Sequence, residues 1–313
     1  MIQLSAVYLL AGALFAAFAV LSALDRNNTK RLGNALFWGL VALSFLAGDR
    51  LGDLGNGVLV LGLALIAGLG LLGRGAPATT SPEERRSLAD RFGETLFVPA
   101  LSLPVVVAAG VLATKYGGLT LMDPKQATLI SLALAAVIAT GVGLVLLRQP
   151  LMSPLQEGRR LMDTVGWAAL LPQMLAALGA VFAIAGVGEL IGQLVTSYIP
   201  MDARLTAVAV YCLGMAGFTV IMGNAFAAFP VMTAGIGLPI LIRQFGGDPA
   251  VICAIGMLSG FCGTLMTPLA ANFNLVPAAL LELPDRYAVI KAQIPTALPL
   301  LIANVVLMYA FAF

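Results

Sequence analysis

Two long stretches of this 313-residue chain carry amides and hydroxyls and no charge at all. Asn224 and Thr233 lie in the first; Ser259, Thr264, Thr267, Asn272 and Asn274 lie in the second. Such side chains hold a small polar solute reversibly, because no full charge has to be stripped of water. Pro230, Pro268 and Pro277 fall in the same stretches, each removing a backbone donor and freeing a carbonyl. A helix broken at membrane depth survives only where protein or a water-filled cavity satisfies the freed groups. Its half-helix N-termini present N–H groups to anions, and its unwound carbonyls can hold a cation. The chemistry expected here is therefore the reversible binding of a small polar solute, and half-helix N-termini of this kind bind carboxylates without buried arginines. Single glycines, serines and threonines also serve close helix packing. Asn272-Phe273-Asn274, between Pro268 and Pro277, points instead to a site. Glu189 stands apart, in an apolar run with no basic residue near it in sequence. It is either an intramembrane proton or cation group, or a surface carboxylate placed there by a helix end at Gly186 and Gly188.

The elements that must position these residues follow from composition. Hydrophobic residues make up 60% of the chain and charged residues 10%, far from the roughly one quarter charged of a soluble domain. Lipid must therefore solvate most of it. The apolar runs are about 18 to 25 residues long, as helices crossing roughly 30 Å of hydrocarbon require, and lack the alternation of a barrel. Residues 2–24, 33–48, 55–73, 95–113 and 126–147 read as five spans, with Pro99 and Pro104 interrupting the fourth. Residues 74–94 have the composition of a soluble linker.

In the second half, 167–185 is a span that runs on to 199. Residues 205–242 hold no charge over 38 positions, nearly twice what one span needs. The chain must turn inside that gap, at Gly223-Asn224, and 231–242 suits a re-entrant half-helix. Residues 249–281 repeat the problem over 33 positions, and 294–311 closes the chain. The fold expected is an all-α polytopic transmembrane bundle of about 8 to 10 spans, with re-entrant or broken helices in its C-terminal half. It forms one integral membrane domain over 1–313, with a three-helix part and cytoplasmic loop at 1–92 and a core at 93–313.

Arg26, Lys30 and Arg31, then Arg74, Arg85, Arg86 and Arg91, then Arg148, Arg159 and Arg160 occupy alternate loops. The positive-inside rule makes those loops cytoplasmic and puts the N-terminus outside. Glu94, Asp163 and Glu282 fall beside the interfaces. Cys212, Cys253 and Cys262 are odd in number and apolar in setting, which argues against a disulfide framework. The chain has no histidine, so the usual general base and metal ligand are missing, and no phosphate-binding glycine loop with Lys-Ser or Lys-Thr appears. An enzyme ranks below a binding or transport role, no metal or organic cofactor is expected, and the net charge of +2 sits in loops that topology explains, without nucleic acid.

Residues 223–235 (GNAFAAFPVMTAG) and 259–279 (SGFCGTLMTPLAANFNLVPAA) resemble the signatures of a bacterial permease family of unknown function. The resemblance implies a two-subunit 5-oxoproline (pyroglutamate) transporter of the inner membrane, with a second, smaller membrane subunit as partner. The broken helices also resemble the ion transporter superfamily of carboxylate permeases, whose inverted repeats each carry a re-entrant hairpin and an unwound helix. That likeness implies a hairpin at 224–233 and an unwound helix at 267–274. For a coupling ion, Na+ could use carbonyl, Asn and Thr oxygens, whereas H+ would need a carboxylate such as Glu189. The chain is short for that pattern and shows one convincing repeat, so the partner is expected to supply the other. The alternative is a non-transporting subunit that stabilises or regulates a partner permease.

Overall fold

Apolar runs in lipid must satisfy every backbone group internally, and the computed structural model of the chain answers with helices. It describes residues 1–73, 81–117, 122–281 and 283–313; Arg74 and Glu282 lie outside them. Among the described residues eight helical stretches are long and apolar enough to cross a membrane, and no strand forms. The protein is thus a polytopic all-α membrane protein. Its contacts fall into two compact units, Met1–Gly166 and Trp167–Phe313.

In the first unit α1 (Leu4–Leu24) packs along α2 (Arg31–Gly68). A straight helix of 38 residues would part its ends by roughly 57 Å. Here the flanks of α2 meet instead. Asn34 Nδ2 donates to the Gly73 carbonyl at 2.6 Å, the Gly73 N–H returns to Asn34 Oδ1 at 2.9 Å, and Lys30 Nζ reaches the Gly70 carbonyl at 2.7 Å. The stretch is therefore a hairpin, reversed at Gly52, whose φ of 62° and ψ of −176° break the helix. Its legs, 31–51 and 53–68, fall on the two spans expected at 33–48 and 55–73. A Cβ at Gly52 would meet no atom within 4 Å, so Gly52→Ala tests backbone strain alone. It should cost about 1–3 kcal/mol, read as a lower melting midpoint in detergent.

The expected linker contains a helix, α3 (Pro82–Phe92). Ser81 Oγ accepts the Glu84 N–H at 3.1 Å, Glu83 and Glu84 occupy the first turn and Arg91 the last. The Ser-x-x-Glu cap and this charge order favour a helix that loop-like composition concealed. α4 (Phe97–Tyr116) carries Pro104 internally without ending, and pairs with α5 (Ala127–Leu147). α6 (Ser153–Val165) rests on α1 through Arg159, whose Nη1 donates to Asp25 Oδ2 at 3.0 Å and to the Leu21 carbonyl at 3.1 Å. Asp163 accepts from Trp38 Nε1 at 2.9 Å. Arg159 and Asp25 side chains are each 10% exposed, so removing one strands the other. Arg159→Ala is expected to cost about 3 kcal/mol, with part recovered in Arg159→Ala/Asp25→Ala, which thermal melts of the single and double variants will measure.

The second unit comprises α7 (Leu171–Ile184), α8 (Val187–Tyr198), α9 (Arg204–Met222), α10 (Ala225–Met232), a π-helix (Thr233–Gln244), α11 (Pro249–Leu265), α12 (Ala271–Leu280) and α13 (Ala288–Phe311). The expected half-helix at 231–242 does not form. α10 and the π-helix make one stretch, Ala225–Gln244, of spanning length and the most deeply buried of the eight. Pro230 forfeits a bond early in it, and from Thr233 the chain keeps its direction with i→i+5 bonding, which rarely lasts more than a turn.

Glycine contacts fix the directions of its neighbours. Gly179 lies against Ala227, Gly188 against Val231 and Ala234, and Gly192 against Gly235, so α7 and α8 run parallel to that stretch. α9 runs against it: Gly214 touches Met232, and the Tyr211 and Thr233 hydroxyls pair at 3.0 Å. α11 runs with α9, Gly256 on Tyr211 and Gly263 on Ala216.

Before α13, outside the spans, Lys291 Nζ at 2.7 Å and the Tyr287 N–H at 2.9 Å hold the Asp285 carboxyl below the usual carboxylate range. A depressed carboxyl stabilises above its unfolded pKa and stops doing so as pH falls through its folded one. The protection factors of the amides at the start of α13, taken against intrinsic exchange at each pH, should therefore fall in acid, and Asp285→Asn should remove that dependence.

Candidate functional site

Two interruptions in the helices of the second unit touch. α9 stops at Gly223, whose φ is 76°, and Asn224 restarts the chain as the cap of α10, its Oδ1 accepting the Phe226 N–H at 2.7 Å. α11 stops at Leu265, three residues before Pro268, whose ring disfavours helix at Thr267. α12 begins at Ala271 with no side-chain cap. Thr267 joins the two breaks: its hydroxyl donates to the Val220 carbonyl at 2.9 Å and accepts the Leu269 N–H at 3.2 Å. Gly223 lies on the Leu269 backbone, with no room for a Cβ.

Asn274, fully buried, closes the second break. Its Nδ2 donates to the Thr264 carbonyl at 2.9 Å and to the Thr267 carbonyl at 2.7 Å. Both amide hydrogens are used, so the orientation is fixed and Oδ1 is left buried with no partner among the described residues. Asn272 Oδ1 and Thr219 Oγ1 are buried and unpartnered as well. Buried polar atoms without a partner are rare, and each costs about 1–3 kcal/mol. Carbonyl-type oxygens of this kind take an N–H donor or a cation, while the first-turn N–H groups of α10 and α12 can take an anion.

The breaks thus bring together Asn224, Thr264 through its carbonyl, Thr267, Asn272 and Asn274. Thr233 is elsewhere, bonded to Tyr211. Ser259 donates to the Ile255 carbonyl at 2.9 Å and the Thr264 hydroxyl to that of Gly260 at 3.3 Å, bonds inside α11. Pro230 and Pro277 lie within α10 and α12 rather than at a break. Two residues went unrecognised in the sequence. Thr219 stands one turn before Gly223, a spacing that marks it once the break is placed. Asn304 of α13, 1% exposed, donates to Cys262 Sγ at 3.7 Å, and nothing local in the sequence singles it out.

The depths of these groups differ. α9 and the Ala225–Gln244 stretch have 19 and 20 residues, each long enough to span, and the crossing lies where they join, toward one end of the bundle. Glu189 is the residue at the middle. Gly186 does end α7, but α8 continues alongside Ala225–Gln244, and Gly188 contacts Val231 to Gly235 near the centre of that stretch. Glu189 thus sits beside the centre of that stretch, with its side chain exposed.

No curated protein and no solved structure matches the chain. A family sequence model does, over residues 5–313, and the chain accordingly belongs to the family described as Protein of unknown function (DUF979).

Proposed function

We propose that this chain is the solute-binding subunit of a secondary transporter for a small carboxylate, with 5-oxoproline the best-matched solute, working in a bacterial inner membrane with a second, smaller subunit. The observation that carries the reading is the contact of two helix breaks beside the unpartnered amide oxygens of Asn272 and Asn274, the latter fixed by its own hydrogen bonds. 5-Oxoproline presents a carboxylate to the N–H groups opening α10 and α12, and a lactam N–H to Asn272 and Asn274. Sodium suits the same oxygens as a coupling ion, whereas Glu189, the carboxylate candidate for a proton, lies away from the breaks.

Uptake of labelled 5-oxoproline into vesicles holding both subunits is the test. Saturable uptake that falls to background in Asn272→Ala/Thr219→Val supports the site; uptake unchanged in that variant refutes it.

A further inference from the structure

Glu189 and Arg243 have no part in the crossing of breaks. Both line a groove of about 530 Å³ between α8 and the π-helix. Glu189, Gln193 and Thr196 follow at i, i+4 and i+7, so one face of α8 carries all three. The adjoining face, Gly188 and Gly192, is occupied by backbone contact with Gly235. The three polar residues are exposed, and among the described residues neither Glu189 nor Arg243 forms an ion pair or a side-chain hydrogen bond.

Glu189, on α8, stands beside the middle of the Ala225–Gln244 stretch, and Arg243 lies close to the end of that stretch. A carboxylate at such depth does not face hydrocarbon; it faces water or a partner's polar group. The volume greatly exceeds what a lone ion needs, and Ala234, Leu238 and Pro239 give the wall the small and apolar character of a helix-packing surface. Arg243 lies eight residues beyond Gly235 in the π-helix, whose wider turns advance less per residue, so an α-helix covers the same distance in about seven residues.

We propose that this groove seats a transmembrane helix of a second protein, bearing a lysine or arginine at its midpoint against Glu189 and an acidic residue about seven positions along the same face against Arg243. The proposal locates the partner subunit of the transporter and rests on that reading only for the partner's existence.

The probes are three leucine–alanine peptides of about 21 residues, long enough to span. One has a central lysine with glutamate seven positions on, one has the two exchanged, and one has neither. Energy transfer in lipid vesicles between the labelled full chain and each peptide should show the first binding about tenfold more tightly than the others. Glu189→Gln should erase that preference, and Glu189→Lys/Arg243→Glu should reverse it toward the exchanged peptide. Should the double variant not fold, the isosteric Glu189→Gln carries the test.

Equal binding of the three peptides, or a preference that survives Glu189→Gln, would overturn the proposal. No readout involves 5-oxoproline: failed uptake beside an intact peptide preference removes the solute and keeps the docking site.

Discussion

Asn274→Ala will cost the protein its fold as well as its uptake, whereas Asn272→Ala will cost uptake alone. Asn274 is fully buried and both of its amide hydrogens close carbonyls, of Thr264 and Thr267, that the end of α11 leaves free. Alanine abandons both carbonyls in a site closed to solvent, at about 1–3 kcal/mol each, and opens a void beside them. A loss of about 3–5 kcal/mol is a large part of the stability of most proteins, and the expected readout is a melting midpoint down by ten degrees or more, roughly, with little material recovered from the membrane. Asn272 is half-buried and its Oδ1 has no partner among the described residues. Removing that oxygen relieves a buried, unsatisfied acceptor, so the Asn272→Ala midpoint should hold or rise while 5-oxoproline uptake falls at least about tenfold. Equal melting losses in the two variants would mean that Asn272 also supports the fold, and its assignment to the solute would fail.

Gly223→Val should be as damaging for a different reason. The φ of 76° is a conformation that a β-branched residue resists, and the added Cβ would run into the Leu269 carbonyl, backbone that cannot rotate away. Strain of about 1–3 kcal/mol adds to an overlap that only separation of the two breaks can relieve. Uptake should vanish and Thr267 should lose its bond to Val220. Gly223→Ala grades the effect, keeping the overlap with less conformational strain. Should Gly223→Val transport at the normal rate, the contact of the breaks is not needed for function.

The helices and the uncharged gaps were legible because lipid imposes length and composition directly: a run either reaches across or it does not. Gly223-Asn224 was found for that reason, as the one polar pair where a 38-residue gap can reverse. The half-helix at 231–242 misled because Pro230 looks like a terminator, and nothing local announces that twelve residues will adopt i→i+5 bonding instead. α3 was concealed by the opposite fault, where loop-like composition outweighed the capping signal at Ser81 and Glu84. Among the site residues, Thr267 and Asn274 met because they flank one break, a local relation that sequence shows. Thr233 and Ser259 shared their composition but face Tyr211 and their own helix, which depends on helix rotation and packing that no single segment contains.

The hairpin of α2 has a consequence for how the chain enters the bilayer. Its tip bears Asp49, Arg50 and Asp53, and its second leg, after Gly52, is a bare 16 residues. A leg so short holds itself poorly in lipid, and three charges are costly to carry across behind a single helix. Asn34, gripping Gly73 with both its oxygen and its nitrogen, supplies the second hold. The two legs are thus expected to insert together, as a closed loop drawn through by its first and longer arm, and Asn34→Leu should leave the tip stranded on the side of synthesis, which glycosylation or protease mapping of a tag at Gly52 would reveal.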